Sequence, residues 1–323
     1  MTQYEVLIEN KSMGKIWNIS PCVRSANYKT KRTGSPGTLE LEIVKRAVFD
    51  VDCGDTVRFS VNGTLVFYGW VFSTSRDRWG TLQATCYDRL RYLKASASYT
   101  FYAQSAGQII SQIAADLQLT TGAIADTGYL IPSLVEEEQT CLDIIGDAID
   151  QTLLNTGRLY TFYDDGAGLA LAEAGSMLAG TLIGDKSNLT EYTLKDDIDS
   201  QTYNSVKLAR PNEETGRTDV FIAQDSSTIA TWGLLQLYQS VDGDLNDAQI
   251  QAQAASTLAF YNRPTRTLQI SALGVVGLRA GQMVYLKIST IEDLAAGRYV
   301  LIEQADHTFE NQIHTMDLEI RIL

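Results

Sequence analysis

Thr38-Leu39-Glu40-Leu41-Glu42-Ile43 alternates apolar and polar side chains, and sixteen residues after Thr38 comes Gly54-Asp55-Thr56-Val57-Arg58-Phe59-Ser60-Val61. The same order returns near the end of the chain. Thr267-Leu268-Gln269-Ile270-Ser271-Ala272 is followed, fourteen residues after its threonine, by Gly281-Gln282-Met283-Val284-Tyr285-Leu286-Lys287-Ile288. A period of two sends alternate side chains to opposite faces, the pattern of a half-buried strand. A further glycine introduces the next strand in both copies, Gly69-Trp70-Val71-Phe72 and Gly297-Arg298-Tyr299-Val300-Leu301. Each copy closes on an alternating strand, Thr81–Cys86 and Thr315–Ile322. Two readings stand: a duplicated β unit, or the strand–glycine–strand punctuation that many antiparallel sheets share. A duplicated unit in a trimer would set six similar β units around one axis and let a threefold object match a sixfold one.

Working outward, residues 1–97 read as a β domain. Tyr4, Val6 and Ile8 alternate, and Asn62-Gly63 between two apolar runs predicts a tight hairpin with positive φ at both positions. Lys29-Thr30-Lys31-Arg32-Thr33-Gly34-Ser35-Pro36-Gly37 reads as a basic loop at a hairpin tip, or an arm that orders on a partner. From residue 98 the period changes. Ser105 caps a predicted helix bearing Ile109, Ile110, Ile113, Ala114 and Leu117. A second helix follows Thr140 with Leu142, Ile145, Ile149 and Leu153, and Glu136-Glu137-Glu138 lies close enough to its start to favour the macrodipole. Asp164-Asp165-Gly166-Ala167-Gly168 joins two strands of a hairpin, so 98–185 reads as a small α+β domain. Residues 186–323 return to strands, with one flanking helix at about 247–261 capped by Asn246. The expected class is α+β, predominantly β: two similar tube-like antiparallel β-barrels with a small α+β domain between them.

Composition narrows the function. The chain has 323 residues, 45% apolar and 20% charged, enough for two or three domains with their own cores. No apolar run approaches the ~18 residues of a membrane span, and Met1-Thr2-Gln3-Tyr4-Glu5 does not open a secretory signal. The expectation is a soluble protein made in the cytoplasm, with no membrane span. Cys22, Cys53, Cys86 and Cys141 contain no Cys-x-x-Cys pair and read as four buried thiols. The formal charge of −13 is uneven: residues 1–100 carry 14 bases and 9 acids, and residues 101–200 carry 3 bases and 16 acids. Such polarity would pair one subunit's basic region with a neighbour's acidic one, or simply keep the chain soluble. An acidic chain with no dense basic stripe does not suit stable nucleic-acid binding.

Three constellations in the chain bear on chemistry. His307, Glu310 and His314 would share one face of a helix as a metal site, but the stretch alternates as strands, where residues seven apart point to opposite faces. Glu136–Glu138, Asp164-Asp165 and Asp196-Asp197 would offer a glycosidase pair if two carboxylates met in a cleft beside exposed Trp or Tyr. Asp242-Gly243-Asp244-Leu245-Asn246-Asp247 resembles a calcium loop but lacks the terminal glutamate, and reads better as a turn and helix cap. No phosphate loop, nucleophile elbow or dinucleotide turn is present. No residue is assigned a catalytic, cofactor-binding or metal role, and no cofactor is expected.

Several segments together resemble the tail hub (baseplate hub) proteins of contractile-tailed phages and phage-tail-like particles, nearest to the hub of PBSX-like prophages. In the first third they are Gly54-Asp55-Thr56-Val57, Tyr68-Gly69-Trp70-Val71 and Thr85-Cys86-Tyr87-Asp88-Arg89-Leu90-Arg91-Tyr92-Leu93. In the middle they are Ala106–Leu117, Gly122-Ala123-Ile124-Ala125-Asp126-Thr127-Gly128 and Gly157–Glu173. The last third adds Tyr203-Asn204-Ser205-Val206-Lys207-Leu208, Ile229-Ala230-Thr231-Trp232-Gly233-Leu234-Leu235-Gln236 and His307-Thr308-Phe309 through Leu318. Order and spacing carry the likeness over most of the chain. It implies two tube-like barrels per chain and a homotrimer joining a hexameric tail tube to a trimeric central spike, beside other baseplate proteins. It also implies assembly into the virion baseplate, DNA passing through the channel without stable binding, and no enzymatic activity. The alternatives are the tail-tip protein of a non-contractile phage, a carbohydrate-active β protein using the acidic loops, and a secretion-system spike, which would need a long β-helix after Leu323.

Overall fold

The computed structural model describes residues 3–44, 49–212, 217–241, 243 and 245–322. Seven strands form the N-terminal unit: β1 (Tyr4–Asn10), β2 (Lys15–Asn18), β3 (Val23–Lys31), β4 (Thr38–Val44), β5 (Thr56–Val61), β6 (Thr64–Arg76) and β7 (Thr81–Tyr87). The period-two residues turn inward as expected: Val6, Ile8, Leu39, Leu41, Ile43, Val57, Phe59 and Val61 are fully buried in one core. Each such side chain contributes roughly 1.5–3 kcal/mol by leaving water. Asn62 and Gly63 have φ of 49° and 80°, the tight β5–β6 turn that the Asn-Gly pair predicts. Lys29 to Lys31 are not loop residues; they end β3 and pair with a distant strand, and only 32–37 form the bend.

The middle unit holds β8 (Ser96–Gln104), α1 (Ala106–Asp116), β9 (Thr121–Ile124), β10 (Ile131–Thr140), α2 (Cys141–Thr156), β11 (Tyr160–Asp164) and β12 (Leu169–Glu173). Ser105 closes a capping box with Gln108, and the Thr140 side chain accepts from the Asp143 N–H. Both helices bury the aliphatic face read from the sequence, against Phe101, Tyr160, Phe162, Leu169 and Leu171. Glu136–Glu138 lie in β10, at a bulge where Glu138 takes φ 56°, just before the Thr140 cap of α2.

The last third is more elaborate than one barrel with a flanking helix. It begins with β13 (Leu178–Gly184) and β14 (Leu189–Asp197). A separate small unit follows: β15 (Ser205–Asn212), β16 (Arg217–Gln224), α3 (Ser226–Trp232), β17 (Gln236–Ser240) and α4 (Asp247–Tyr261). Asn246 caps α4 as expected, and Ile250 and Ala254 of that helix bury against Val206 and Leu208 of its own three-stranded sheet. The chain then returns through β18 (Thr265–Leu273), β19 (Met283–Lys287), α5 (Glu292–Ala295), β20 (Arg298–Glu310) and β21 (Ile313–Ile322). These four strands and β13 surround a third core that includes Ile183, Leu268, Ile270, Val284, Leu286, Ile302, Leu318 and Ile320.

The duplication is real, strand for strand. The N-terminal unit orders its strands β3-β4-β7-β6-β5-β1, and the C-terminal unit orders them β14-β18-β21-β20-β19-β13. Thr38 to Ile43 and Thr267 to Ala272 hold equivalent registers against β7 and β21. Gly54 donates to the Val71 carbonyl while Val71 donates back to Asp55; Gly281 donates to Ile302 while Ile302 donates back to Gln282. The β6–β7 ladder slips between Val71 and Ser73, and the β20–β21 ladder slips at the matching place, between Ile302 and Gln304. Two details depart from the duplication. The ladders set Gly69 opposite Val57 and Val300 opposite Val284, so Gly69 matches Val300 and not Gly297. β1 joins β5 antiparallel, whereas β13 joins β19 parallel, because β13 enters from the α+β unit.

The paired glycines give a sharp test. Both need positive φ, 94° at Gly54 and 86° at Gly281, but a methyl at Gly54 meets open space while one at Gly281 runs into the buried Thr161 side chain. Gly54→Ala should cost about 1 kcal/mol and Gly281→Ala about 3, the excess reporting the packing between the units. Chemical denaturation of the two variants measures it; equal losses would show that the close approach carries no energy.

Candidate assembly interface

One strand binds the two β units into a single thirteen-stranded sheet. The first half of β20 pairs with β19 inside its own unit, from Arg298↔Leu286 to Leu301↔Met283. Beyond the bulge its second half pairs with β3 of the N-terminal unit, from Gln304↔Lys31 to Glu310↔Ser25. Glu303, the bulge residue, is held by Arg32, whose Nε donates at 2.7 Å and whose backbone N–H donates to the Glu303 carbonyl at 2.9 Å. At the far end Phe309 enters the N-terminal core, edge-on to Phe59 with ring centroids 5.0 Å apart.

The two histidines lie in this hairpin, on the same face. Residues seven apart would diverge along one strand, but the turn at Asn311 and Gln312 places His307 on β20 and His314 on β21. Both point into the core, and His307 Nδ1 lies 2.9 Å from His314 Nε2. His307 Nε2 donates to the Leu278 carbonyl at 2.8 Å, so its Nδ1 accepts from His314. Burial lowers both imidazoles to about 4. Glu310 points outward and does not join them, and among the described residues no group of three or more His, Cys, Asp or Glu could hold a metal ion.

A second junction fixes the α+β unit against both β units. Asp88 caps the short helix Arg89–Lys94 by accepting from Leu90, and also accepts from the Gly37 N–H at 2.8 Å. Burial, with the neighbouring Asp164, pushes its carboxyl up to about 7. Arg89 crosses to Asp164 with contacts of 2.7 and 3.0 Å, and the Asp164 side chain is 2% exposed. Arg279 donates to the Asp164 carbonyl at 2.7 Å and lies over the Tyr163 ring at 4.3 Å. Thr161 donates to the Gly281 carbonyl. A cavity of about 110 Å³ remains among Tyr28, Phe67, Asp88, Asp164 and Arg279.

This junction was not legible in the sequence. Asp88-Arg89-Leu90 carries a helix-cap signal, but nothing local ties it to Asp164 or Arg279, which are 75 or more residues away. The acidic clusters do not meet: Glu136–Glu138 lie on β10, Asp164 is engaged by Arg89 and the Gly166 N–H, and Asp196-Asp197 end β14. Of the calcium-like segment, Asp242 and Asp244 lie outside the described residues, and Asn246-Asp247 start α4. The four thiols are free but not all buried: Cys86 and Cys141 are, Cys22 is half-buried and Cys53 is exposed. No helix among the described residues is long and apolar enough to cross a membrane.

The sheet also has open edges. β14 pairs only with β18, leaving its other side open among the described residues. Past Trp70, β6 pairs only with β7, and Ser73, Ser75 and Arg76 are exposed. Unpaired edges of this kind invite another strand.

The phage-like element PBSX protein XkdQ of Bacillus subtilis (strain 168) is 33% identical over 303 residues, covering 92% of this chain and 91% of that protein. The tail protein from Neisseria meningitidis MC58 superposes with a TM-score of 0.72 at 14% identity, covering 99% of this chain and 96% of that one. The 43 kDa tail protein of prophage MuSo2 from Shewanella oneidensis gives 0.69 at 13% identity, with 98% of each chain covered. Those two likenesses are of fold, and they extend over both β units and everything between. The family model described as YQBQ-like matches residues 26–321, from within β3 through β21 and including the strand that joins the two units, and the chain belongs to that family.

Proposed function

We propose that this chain is a structural protein of a phage tail or tail-like particle: a baseplate hub whose homotrimer joins a hexameric tail tube to a trimeric central spike. The observation that carries the reading is the duplication. Two units of the same strand order, fused edge to edge through β20 and β3, supply two equivalent surfaces per chain, and three chains supply six. The similarity to XkdQ and to two tail proteins over nearly the whole chain supports the particle type.

Residues 1–97 and 186–323 then hold the two tube-like units, the second borrowing β13 and carrying the separate β15–α4 unit as an insertion, and 98–185 is the α+β domain beside them. The sheet face turned away from the cores is rich in carboxylates, Glu40, Glu42, Asp306, Glu310, Asp317 and Glu319, interspersed with bases such as Lys29 and Lys31. Lining a channel, that face would repel passing DNA more than hold it. Electron cryomicroscopy of the particle tests the reading. The expected result is three copies of this chain in a ring between tube and spike; a particle without the chain, or with a copy number other than three, overturns it.

A further inference from the structure

The seam between the two units has a second, unused version. β20 corresponds to β6, with Glu303 matching Phe72 at the bulges, and β3 corresponds to β14, since Lys29 opposes Thr38 and Lys195 opposes Thr267. The likeness reaches the irregularities: the β3–β4 ladder slips between Val23 and Ser25, and the β14–β18 ladder between Leu189 and Glu191. Inside one chain, the second half of β20 is seated on β3. The matching halves, β6 from Ser73 to Arg76 and the outer edge of β14, have no strand partner among the described residues and lie on different units.

We infer that β6 of one chain pairs antiparallel with β14 of a second copy, in the register Ser73↔Asp197, Thr74↔Asp196, Ser75↔Lys195 and Arg76↔Leu194. This rests on the trimeric-ring reading above and names the contact that closes it. The register is copied residue for residue from Gln304↔Lys31 through His307↔Tyr28. The salt bridge of the internal seam, Arg32 with Glu303, is replaced by Ile198 and Phe72, both half-exposed in the single chain. The net charge of the two edges is opposite, Arg76 and Arg78 on the β6–β7 hairpin against Asp196, Asp197 and Asp199 at the end of β14. Within one chain Arg76 already meets Asp50, Asp196 meets Arg266 and Asp197 meets Lys195, so the strand register carries the inference and charge only accompanies it. Trp79, 77% exposed at the tip of the same hairpin, is placed to meet the neighbouring copy much as Phe309 on the longer β20–β21 hairpin meets the N-terminal core.

Cysteine cross-linking in assembled particles tests the register. Directly opposed residues have Cα atoms about 4.5–5.5 Å apart, within the range a disulfide spans. In a Cys53→Ser background, Ser75→Cys with Lys195→Cys should convert most of the chain to covalent dimers and trimers on oxidation. Either substitution alone should not, nor should Thr74→Cys with Lys195→Cys, whose side chains leave opposite faces. Both positions are exposed, so incorporation of the reduced variants into particles serves as the check on folding. Particles that hold three copies of the chain but give no Ser75–Lys195 cross-link overturn this register and leave the hub reading standing. A copy number other than three removes both.

Discussion

Arg89→Ala is expected to destabilise the protein by about 3–5 kcal/mol, the cost of stranding one member of a buried ion pair. Asp164 would be left 2% exposed with its charge unopposed by the guanidinium that now reaches both its oxygens. The loss should fall on the docking of the α+β unit more than on its interior. Arg89 and Asp164 link that unit to the N-terminal unit, and Arg279 links it to the C-terminal one. Unfolding of the variant should therefore separate into more than one transition where the parent shows fewer. Trp70 lies under the Arg89 guanidinium, 5.7 Å from it, so tryptophan fluorescence reports the junction. Arg89→Lys keeps the charge but not the fork and should lose an intermediate amount. A loss below about 0.5 kcal/mol in Arg89→Ala, the ordinary scale of a surface substitution, would show that the pair does not fasten the units.

The second large effect is a pH dependence. His307 is held neutral, its imidazole lowered to about 4 by burial, whereas in the unfolded chain it titrates near 6.5. Between those values the unfolded chain binds more protons, so stability is present in full above about 6.5 and falls as pH drops toward 4. A gap of that size corresponds to about 3 kcal/mol for His307. His314 shifts the same way, and its Nε2–H is the donor to His307 Nδ1, so protonating His307 removes the acceptor and breaks their hydrogen bond. Asp88 acts in the opposite sense. Its carboxyl is raised to about 7 by burial and by Asp164, so its contribution is present at low pH and is lost as pH rises through 7. Wild-type stability should therefore rise only modestly from pH 4 to 6.5, and Asp88→Asn should steepen the rise by removing the opposing slope. Denaturant midpoints across that range, with imidazole titration by NMR, decide it; a variant no steeper than wild type would sink the assignment of Asp88.

What was legible in the sequence was whatever depends on near neighbours. Period-two alternation fixes which face of β4, β5, β18 and β19 is buried. Asn62-Gly63 fixes a turn because few other pairs accept positive φ twice. Ser105, Thr140 and Asn246 start helices because their side chains satisfy amide groups that a helix end leaves unpaired. Even the duplication was readable, since two copies of one unit must repeat the same inward positions in the same order.

Tertiary structure alone decided how distant segments meet. The alternation of β20 is the same whether it pairs with one strand or two, so the seam with β3 leaves no local mark. The histidine pair was misplaced for a related reason: counting seven residues along one strand ignores a turn, and a hairpin brings both rings to one face. The three-stranded unit of β15 to β17 was missed because its short strands and partly exposed faces resemble those of the sheet into which it is inserted. Asp88, Arg89, Asp164 and Arg279 are ordinary charged residues in sequence. They become a junction only because folding buries them within reach of one another, where a charge without its partner costs several kcal/mol.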